Sequence, residues 1–184
     1  MKFNEKKYKK EAKKEIIKCR LGDWNHALRV VFWIKKLGIG RRDLNELIIS
    51  GYIHDIGWKE VYKKNKLSFS DLKFYEIQAN KNSLIFTRKF LSKFNFKETK
   101  IKKILRLIKS ADNHEGILED EKIIVDADNL SKLSIIHLKE KYRKEDWIKM
   151  IEFWKKEFPK RIKTKKGKSL YPILIKKLEK ISPG

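Results

Sequence analysis

The spacing of the apolar residues constrains the fold of this chain more than any other feature of the sequence. Across residues 24–37 apolar side chains recur every three or four positions and form one face, made of Ala27, Leu28, Val31, Ile34 and Leu37. This spacing is typical of an amphipathic helix, whereas a half-buried strand would alternate polar and apolar residues. Similar spacing continues along most of the chain, and only eight glycines and three prolines interrupt it. The pattern therefore predicts an all-α fold, a single compact bundle of about seven helices.

Residues that cap or end helices bound the predicted elements. Gly38 follows the second apolar stretch and Asp43 precedes the third, as expected of a C-terminal stop and an N-cap. By these signals the helices cover approximately residues 5–20, 24–37, 43–55, 70–94, 96–109, 119–142, 145–158 and 170–181. Residues 123–125 (Ile-Ile-Val) could instead form a short strand, although no partner strand is evident.

Length and composition favour one domain that covers residues 1–184. A chain of 184 residues has the usual length of a single domain, and it contains no repeat and no linker-like stretch. Apolar residues make up 41% of it, enough for a core, and Cys19 is the only cysteine, so no intramolecular disulfide can form. The first 20 residues lack the apolar segment of a signal peptide, and no window is apolar enough to span a membrane. We expect a cytoplasmic protein.

The charge of the chain is strongly unbalanced. Lys and Arg number 47 against 24 Asp and Glu, which gives a net charge of +23. Such a positive field attracts polyanions, namely nucleic acids, nucleotides or acidic membrane surfaces. Lys102, Arg106 and Lys109 share one side of a predicted helix, and residues 160–168 are rich in lysine. A membrane partner fits least, because the basic helices lack a broad apolar face beyond what the core needs. A solvated surface without a specific partner is the alternative.

Histidine and aspartate residues mark three of the predicted helices. His26 lies at the start of the second helix, His54 and Asp55 lie at the end of the third, and residues 126–128 (Asp-Ala-Asp) fall in a later one. Imidazole nitrogens combined with carboxylates suit divalent Mn, Fe, Co, Ni or Zn, and helix packing can gather ligands from separate helices. Each residue alone has a structural alternative, a packed histidine or a capping aspartate.

The segments around these residues resemble the HD-domain superfamily of metal-dependent phosphohydrolases. Residues 26–30 (His-Ala-Leu-Arg-Val) are similar to the family's first histidine helix, and residues 52–57 (Tyr-Ile-His-Asp-Ile-Gly) to its central His-Asp motif. Residues 126–130 (Asp-Ala-Asp-Asn-Leu) are similar to its last motif. The resemblance covers about residues 24–138, and it implies an all-α HD-type domain with basic helical extensions at both ends.

The resemblance also implies a set of metal ligands. Carried over residue by residue, these are His26, His54, Asp55 and Asp128. Asp128 is preferred to Asp126 because family variants that read Leu-Ala-Asp keep only the second acid. Asp126 is then expected to cap a helix or to orient a ligand.

Three departures from the family favour one metal ion rather than two. Members with two ions carry further histidines, whereas this chain has Tyr75-Glu76 where a His-Glu pair can fall, and Ala111 where another histidine is common. His114 comes three positions late. We therefore expect one divalent ion (Mn, Ni, Co, Fe, Zn or Mg) and no oxidative chemistry. No motif surrounds His137, for which a structural or exposed position is expected.

The predicted function is a phosphohydrolase that acts on a nucleotide or another phosphomonoester or phosphodiester through metal-activated water. Asp55 and His54 are the predicted catalytic residues, and Asp55 positions or deprotonates the water in the resembling family. Arg29, Lys59 and Lys63 are the nearest cations in the sequence and are predicted to bind the substrate phosphate.

A nucleic-acid-binding protein, or a hydrolase of RNA or DNA ends that uses the HD fold and its basic surface, is the alternative. The basic patches favour it, but no helix-turn-helix, zinc-finger or RNA-recognition motif accompanies them. The sequence leaves the oligomeric state open.

Overall fold

Nine α-helices form most of what the structure, a computed structural model, describes, which is residues 3–61, 66 and 68–180. They are α1 (Glu5–Ile16), α2 (Asp23–Leu37), α3 (Leu44–Ile53), α4 (Phe69–Leu91), α5 (Glu98–Asn113), α6 (Glu119–Lys132), α7 (Ile135–Lys141), α8 (Trp147–Arg161) and α9 (Lys165–Glu179). Two short 3-10 turns, Ile56–Trp58 and Lys144–Asp146, join them, and no strand occurs within these ranges. The predicted all-α class is confirmed, although the prediction of about seven helices was low.

The sequence signals predict eight helical ranges, and the ninth helix comes from a break in the predicted helix 119–142. The chain leaves the helical conformation at Leu133, and the Ser134 side chain then accepts a hydrogen bond from the His137 backbone N–H at 3.2 Å and caps α7. The strand alternative for residues 123–125 was wrong, because they lie in the middle of α6. These residues are buried against the core, which explains why they lack the polar face of a surface helix.

Helix α2 lies between α3 and α6 at the centre of the core, with α5 packed on the outer side of both α3 and α6. Gly51 of α3 makes the close approach to α2 possible, since a Cβ there would lie 2.5 Å from Cδ1 of Ile34. Gly57 does the same where α4 crosses the first 3-10 turn, since its Cβ would lie 2.3 Å from the Ala79 carbonyl oxygen. These contacts hold the ends of α2, α3 and α6 next to one another.

Two further features of the fold concern membrane-spanning helices and the cysteine. No helix in the described ranges is both long and apolar enough to cross a membrane. Cys19 is buried just after α1, where its Sγ lies 3.7 Å from the Glu15 carbonyl oxygen and 3.9 Å from that of Ile56.

Candidate metal centre

Three side chains from three helices meet at one buried point. His26 belongs to the first turn of α2, His54 follows the last residue of α3, and Asp128 lies in α6; they are 1%, 5% and 3% exposed. His26 Nε2 lies 3.1 Å from His54 Nε2 and 3.1 Å from Asp128 Oδ1, and His54 Nε2 lies 3.5 Å from the same oxygen. The group could hold a metal ion.

Asp55 lies beside this group and faces both histidines. Its Oδ2 lies 3.7 Å from His26 Nε2 and 3.6 Å from His54 Nε2, and Arg20 Nη2 donates to it at 3.0 Å. Neighbouring residues of a regular helix point about 100° apart. Helix α3 ends at Ile53, however, and Asp55 has left the helix with φ −90° and ψ 10°. The change of backbone direction turns both side chains toward the same place.

The hydrogen bonds of the two imidazoles favour a cation between them. Ser131 Oγ donates its single proton to the Asp128 carbonyl oxygen at 2.7 Å, so it must accept from His26 Nδ1, 3.1 Å away. His54 Nδ1 donates to the Gly51 carbonyl oxygen at 3.1 Å. Both neutral rings therefore present the lone pair of Nε2, and the two lone pairs face each other at 3.1 Å. Only a shared cation, a proton or a metal ion, makes that arrangement favourable.

The distances between the donor atoms also fit one ion. Two ligand atoms that are each about 2.1 Å from an ion lie roughly 3.0 Å apart at a right angle and roughly 3.4 Å apart at a tetrahedral angle. The three distances among the two Nε2 atoms and Asp128 Oδ1 run from 3.1 to 3.5 Å. Imidazole nitrogens with backbone or hydroxyl partners on the opposite ring atom are the usual arrangement of metal-bound histidines.

Without a metal ion, the same four groups share protons unequally. Burial lowers the pKa of His26 to about 4, although Asp128 opposes it. Burial also acts against the charged form of His54, but the Asp55 and Asp128 carboxylates outweigh it and raise its pKa to about 9. Burial alone would raise the pKa of Asp55, but the positive charges of His54 and Arg20 outweigh burial and lower this pKa to about 2. The cluster therefore holds one positive imidazolium next to two carboxylates. A divalent ion can take the place of the imidazolium proton among them.

The cluster lines a narrow cavity with a volume of about 70 Å³. Four cationic side chains line it: Arg20, Lys132, Lys141 and Arg161. Aromatic rings cover another part of its wall: Trp58, Tyr142, Phe153, Trp154 and Phe158. Cations suit phosphate oxygens, and aromatic faces suit a planar apolar group such as a nucleobase.

Three of the four cations already have carboxylate partners. Arg20 pairs with Asp23 at 3.1 Å in addition to Asp55, and Lys132 Nζ lies 2.6 Å from Asp128 Oδ2. The buried Lys141 side chain donates to Asp23. These three cations hold the carboxylates of the cluster and of its support in place.

Two of the three predicted phosphate-binding residues do not line the cavity. Arg29 does not line the cavity; its Nη1 lies 3.0 Å from Glu140 Oε2 and its Nη2 donates to His137 Nδ1 at 3.2 Å. Lys59 also lies outside the cavity and pairs with Glu15 at 3.2 Å. Lys63 lies outside the described residues. Arg29 and Lys59 pair with carboxylates outside the cavity, and their binding of a substrate phosphate stays a prediction.

Asp126 lies on another face of α6 from Asp128. It accepts hydrogen bonds from the Lys163 and Thr164 backbone N–H groups, each at 2.8 Å, and from Thr164 Oγ1 at 2.6 Å. Thr164 is the N-cap of α9, so Asp126 ties α6 to the start of that helix. It contacts neither histidine of the cluster in this arrangement.

Two histidines near the cluster had no assigned role. His137 is buried with its ring 4.9 Å from that of His26, and because Arg29 donates to its Nδ1, its proton lies on Nε2. His114 Nε2 lies 3.2 Å from Glu76 Oε1, and both residues line the cavity. His114 ends α5 with φ 56°, a conformation that a residue with a side chain seldom adopts. The only sequence signal for His114 and Glu76 was that they lie near the positions of the further histidines in the resembling family.

One more acid faces the cavity. Burial raises the pKa of Asp112 to about 8, so its carboxyl is held neutral at ordinary pH. The three basic residues on one side of α5 carry less free positive charge than the sequence suggests. Arg106 pairs with Asp120 at 2.6 Å and with Glu121, whereas Lys102 and Lys109 are exposed beside it.

Comparisons with protein-family models, with curated proteins and with solved structures find no match to this chain.

Proposed function

We propose that the protein is a metal-dependent phosphohydrolase of the HD type, which acts on a nucleotide or another phosphate ester. One observation carries the proposal. Two imidazoles and the Asp128 carboxylate meet at one buried point of a cavity that Asp55 and four basic side chains also line. A site with these donors, next to these cations, suits an ion that meets a phosphate.

A divalent ion bound there would supply a water of lowered pKa and offset the charge that develops on the phosphate oxygens. The chain's own residues prepare the site for it. Ser131 and the Gly51 carbonyl keep the Nε2 lone pairs of His26 and His54 directed at the ion's place. Arg20 holds Asp55 at 3.0 Å, in a position to bind the ion and orient the water.

Other residues act on the substrate. The phosphate meets a positive potential from the lining cations, which a low-dielectric wall of aromatic rings strengthens. The Arg20 guanidinium stacks 3.4 Å from the centre of the Trp58 ring, which fixes its direction toward the cluster.

The test combines metal analysis of the purified protein with a panel of nucleotides, phosphomonoesters and phosphodiesters, assayed with and without a chelator. We expect about one divalent ion per chain, hydrolysis of at least one ester, loss of activity with chelator and recovery when the metal is restored. Asp55→Asn should be inactive, while Asp71→Asn, on the exposed first turn of α4, should match the unmodified protein. Absence of metal binding after titration with Mn, Fe, Co, Ni and Zn would refute the proposal.

A further inference from the structure

Arg161 differs from the other three cations of the cavity. The structure gives it no ion pair with any carboxylate in residues 3–61, 66 and 68–180, whereas Arg20, Lys132 and Lys141 each have one. Its guanidinium carbon lies 5.5 Å from the centre of the Phe153 ring and 6.0 Å from that of Phe158. These rings hold the planar group in place without neutralising its charge.

Arg161 also stands where two depressions meet. It lines the cavity of the metal centre, and it lines a neighbouring surface groove together with His114, Gly116, Lys160 and Lys163. Lys160 pairs with Glu157 at 3.0 Å. Lys163 is exposed, and among the described residues its side chain has no ion pair. Glu115 lines the same groove, and the Glu76 carboxylate acts to raise the pKa of Arg161 from the cavity side. Arg161 and Lys163 are thus two cations without a direct ion pair in the described ranges, on a path that also carries acids.

Arg161 and Lys163 are available to bind an anion other than the phosphate at the metal centre. Arg20, Lys132 and Lys141 line the cavity next to the cluster, but each is paired with Asp23, Asp55 or Asp128. A free guanidinium beyond them matches the paired oxygens of a further phosphate, which Arg binds through two parallel hydrogen bonds. Burial between two aromatic rings lowers the pKa of Arg161, but a guanidinium stays charged at any physiological pH.

We propose that Arg161, with Lys163, forms a second anion-binding subsite, and that the substrate carries a phosphate beyond the one that is hydrolysed. The proposal rests on the proposed function, and it defines the substrate class: a nucleotide with a second phosphate, free or at the end of a nucleic acid strand. Both sources present the same chemistry, a phosphate linked through a sugar to the one at the metal centre.

The experiment compares steady-state hydrolysis of three substrates by the metal-loaded protein: adenosine 5′-monophosphate, adenosine 3′,5′-bisphosphate and a 5′-phosphorylated five-nucleotide oligoadenylate. The variants are Arg161→Gln, Arg161→Lys and the matched control Lys156→Gln, an exposed cation on the same helix. For the two substrates with a further phosphate, Arg161→Gln should raise KM about 10- to 100-fold with little change in kcat, since a charged hydrogen-bonding pair is lost. The monophosphate should change less than about threefold.

The other variants sharpen the result. Arg161→Lys should recover part of the lost affinity, because it keeps the charge and loses the paired donors. Lys163→Gln should affect the oligonucleotide more than the bisphosphate if the source is a strand end, and both equally if it is a free nucleotide. An equal effect of Arg161→Gln on all three substrates, or no effect on any, would overturn the subsite.

Failure of the proposed function is distinguishable from failure of the subsite. If the metal-loaded protein hydrolyses none of the substrates, calorimetry measures binding of the same bisphosphate and monophosphate. Preference for the bisphosphate that Arg161→Gln removes and Lys156→Gln keeps supports the subsite without hydrolysis. Equal binding of the two compounds by the unmodified protein refutes it.

Discussion

Two carboxylates of α6, only two residues apart, have opposite environments. Asp126 is 0% exposed and Asp128 is 3% exposed, so burial does not separate them. Three donors of the chain bind Asp126, while Asp128 Oδ1 faces the Nε2 atoms of two imidazoles, which share one proton when no metal ion is bound. The comparison teaches that the donors around a buried carboxylate, and not its burial or its sequence neighbours, indicate whether it is free to bind a cation.

The protonation of the two carboxylates follows the same division. Burial raises the pKa of Asp126, and the Thr164 hydroxyl and two backbone N–H groups offset only part of that effect. Burial acts in the same direction on Asp128, but Lys132 and the two histidines hold its pKa well below the usual value. Asp126 serves packing between α6 and α9, whereas Asp128 carries a negative charge into the cavity.

The largest expected effect concerns the metal-facing carboxylate. Asp128→Ala should abolish metal binding and lower hydrolysis by at least about 10³-fold, because the ion loses a charged ligand. The helical fold should survive, as judged by circular dichroism, since the cluster is small relative to the core. Mass spectrometry of bound metal and the hydrolysis assay measure the loss. Asp126→Ala should lower activity far less, and the reverse order would mean that the wrong aspartate was assigned as ligand.

The second effect concerns stability on the other face of the helix. Asp126→Ala leaves the Lys163 and Thr164 backbone N–H groups without their acceptor. We expect the free energy of unfolding to fall by about 2–3 kcal/mol, with metal content unchanged. Urea denaturation measures the change, and Glu145→Ala, an exposed acid of a 3-10 turn, is the control. A loss below about 0.5 kcal/mol would show that the contact between α6 and α9 adds little.

A third prediction reaches the same contact from α9. A Cβ at Gly167 would lie 2.3 Å from Asp126 Oδ2, so Gly167→Ala should push this carboxylate away. Alanine usually stabilises a helix relative to glycine, whereas here we expect a loss of about 1–3 kcal/mol. In the Asp126→Ala background the same change should cost less, because the shortest contact is gone and only those at 2.9 Å with Ile162 Cγ2 and Thr164 Oγ1 remain. Additive losses in the double variant would refute the link between the two positions.

The smallest effect concerns the support of a ligand rather than the ligand itself. Ser131→Ala removes the acceptor of His26 Nδ1–H and frees the ring to change its tautomer. We expect the metal dissociation constant to rise about 10-fold, with kcat nearly unchanged once the metal is saturating. Metal titration followed by calorimetry measures it. Ser169→Ala, on the exposed side of α9, should leave the constant unchanged.

The sequence predicted the fold class well because the apolar spacing of α2, α3 and α5 depends on the local helix alone. The motif resemblance also predicted correctly that His26, His54, Asp55 and Asp128 lie close together. Their role as metal ligands stays a prediction. The cations of the cavity could not be found in that way. Arg20 follows α1 and Arg161 ends α8, so only the packing of distant helices carries them to the cluster.

The single cysteine has a practical consequence for spectroscopy. Thiols react with maleimides and nitroxide reagents as thiolates, and burial raises the pKa of Cys19 to about 12, so almost none of it is ionised near neutral pH. A cysteine introduced at the exposed Lys156 would therefore be the one fast-reacting thiol of the chain. A fluorophore or spin label attached there would report on α8, the helix that carries Arg161, without removal of the native cysteine.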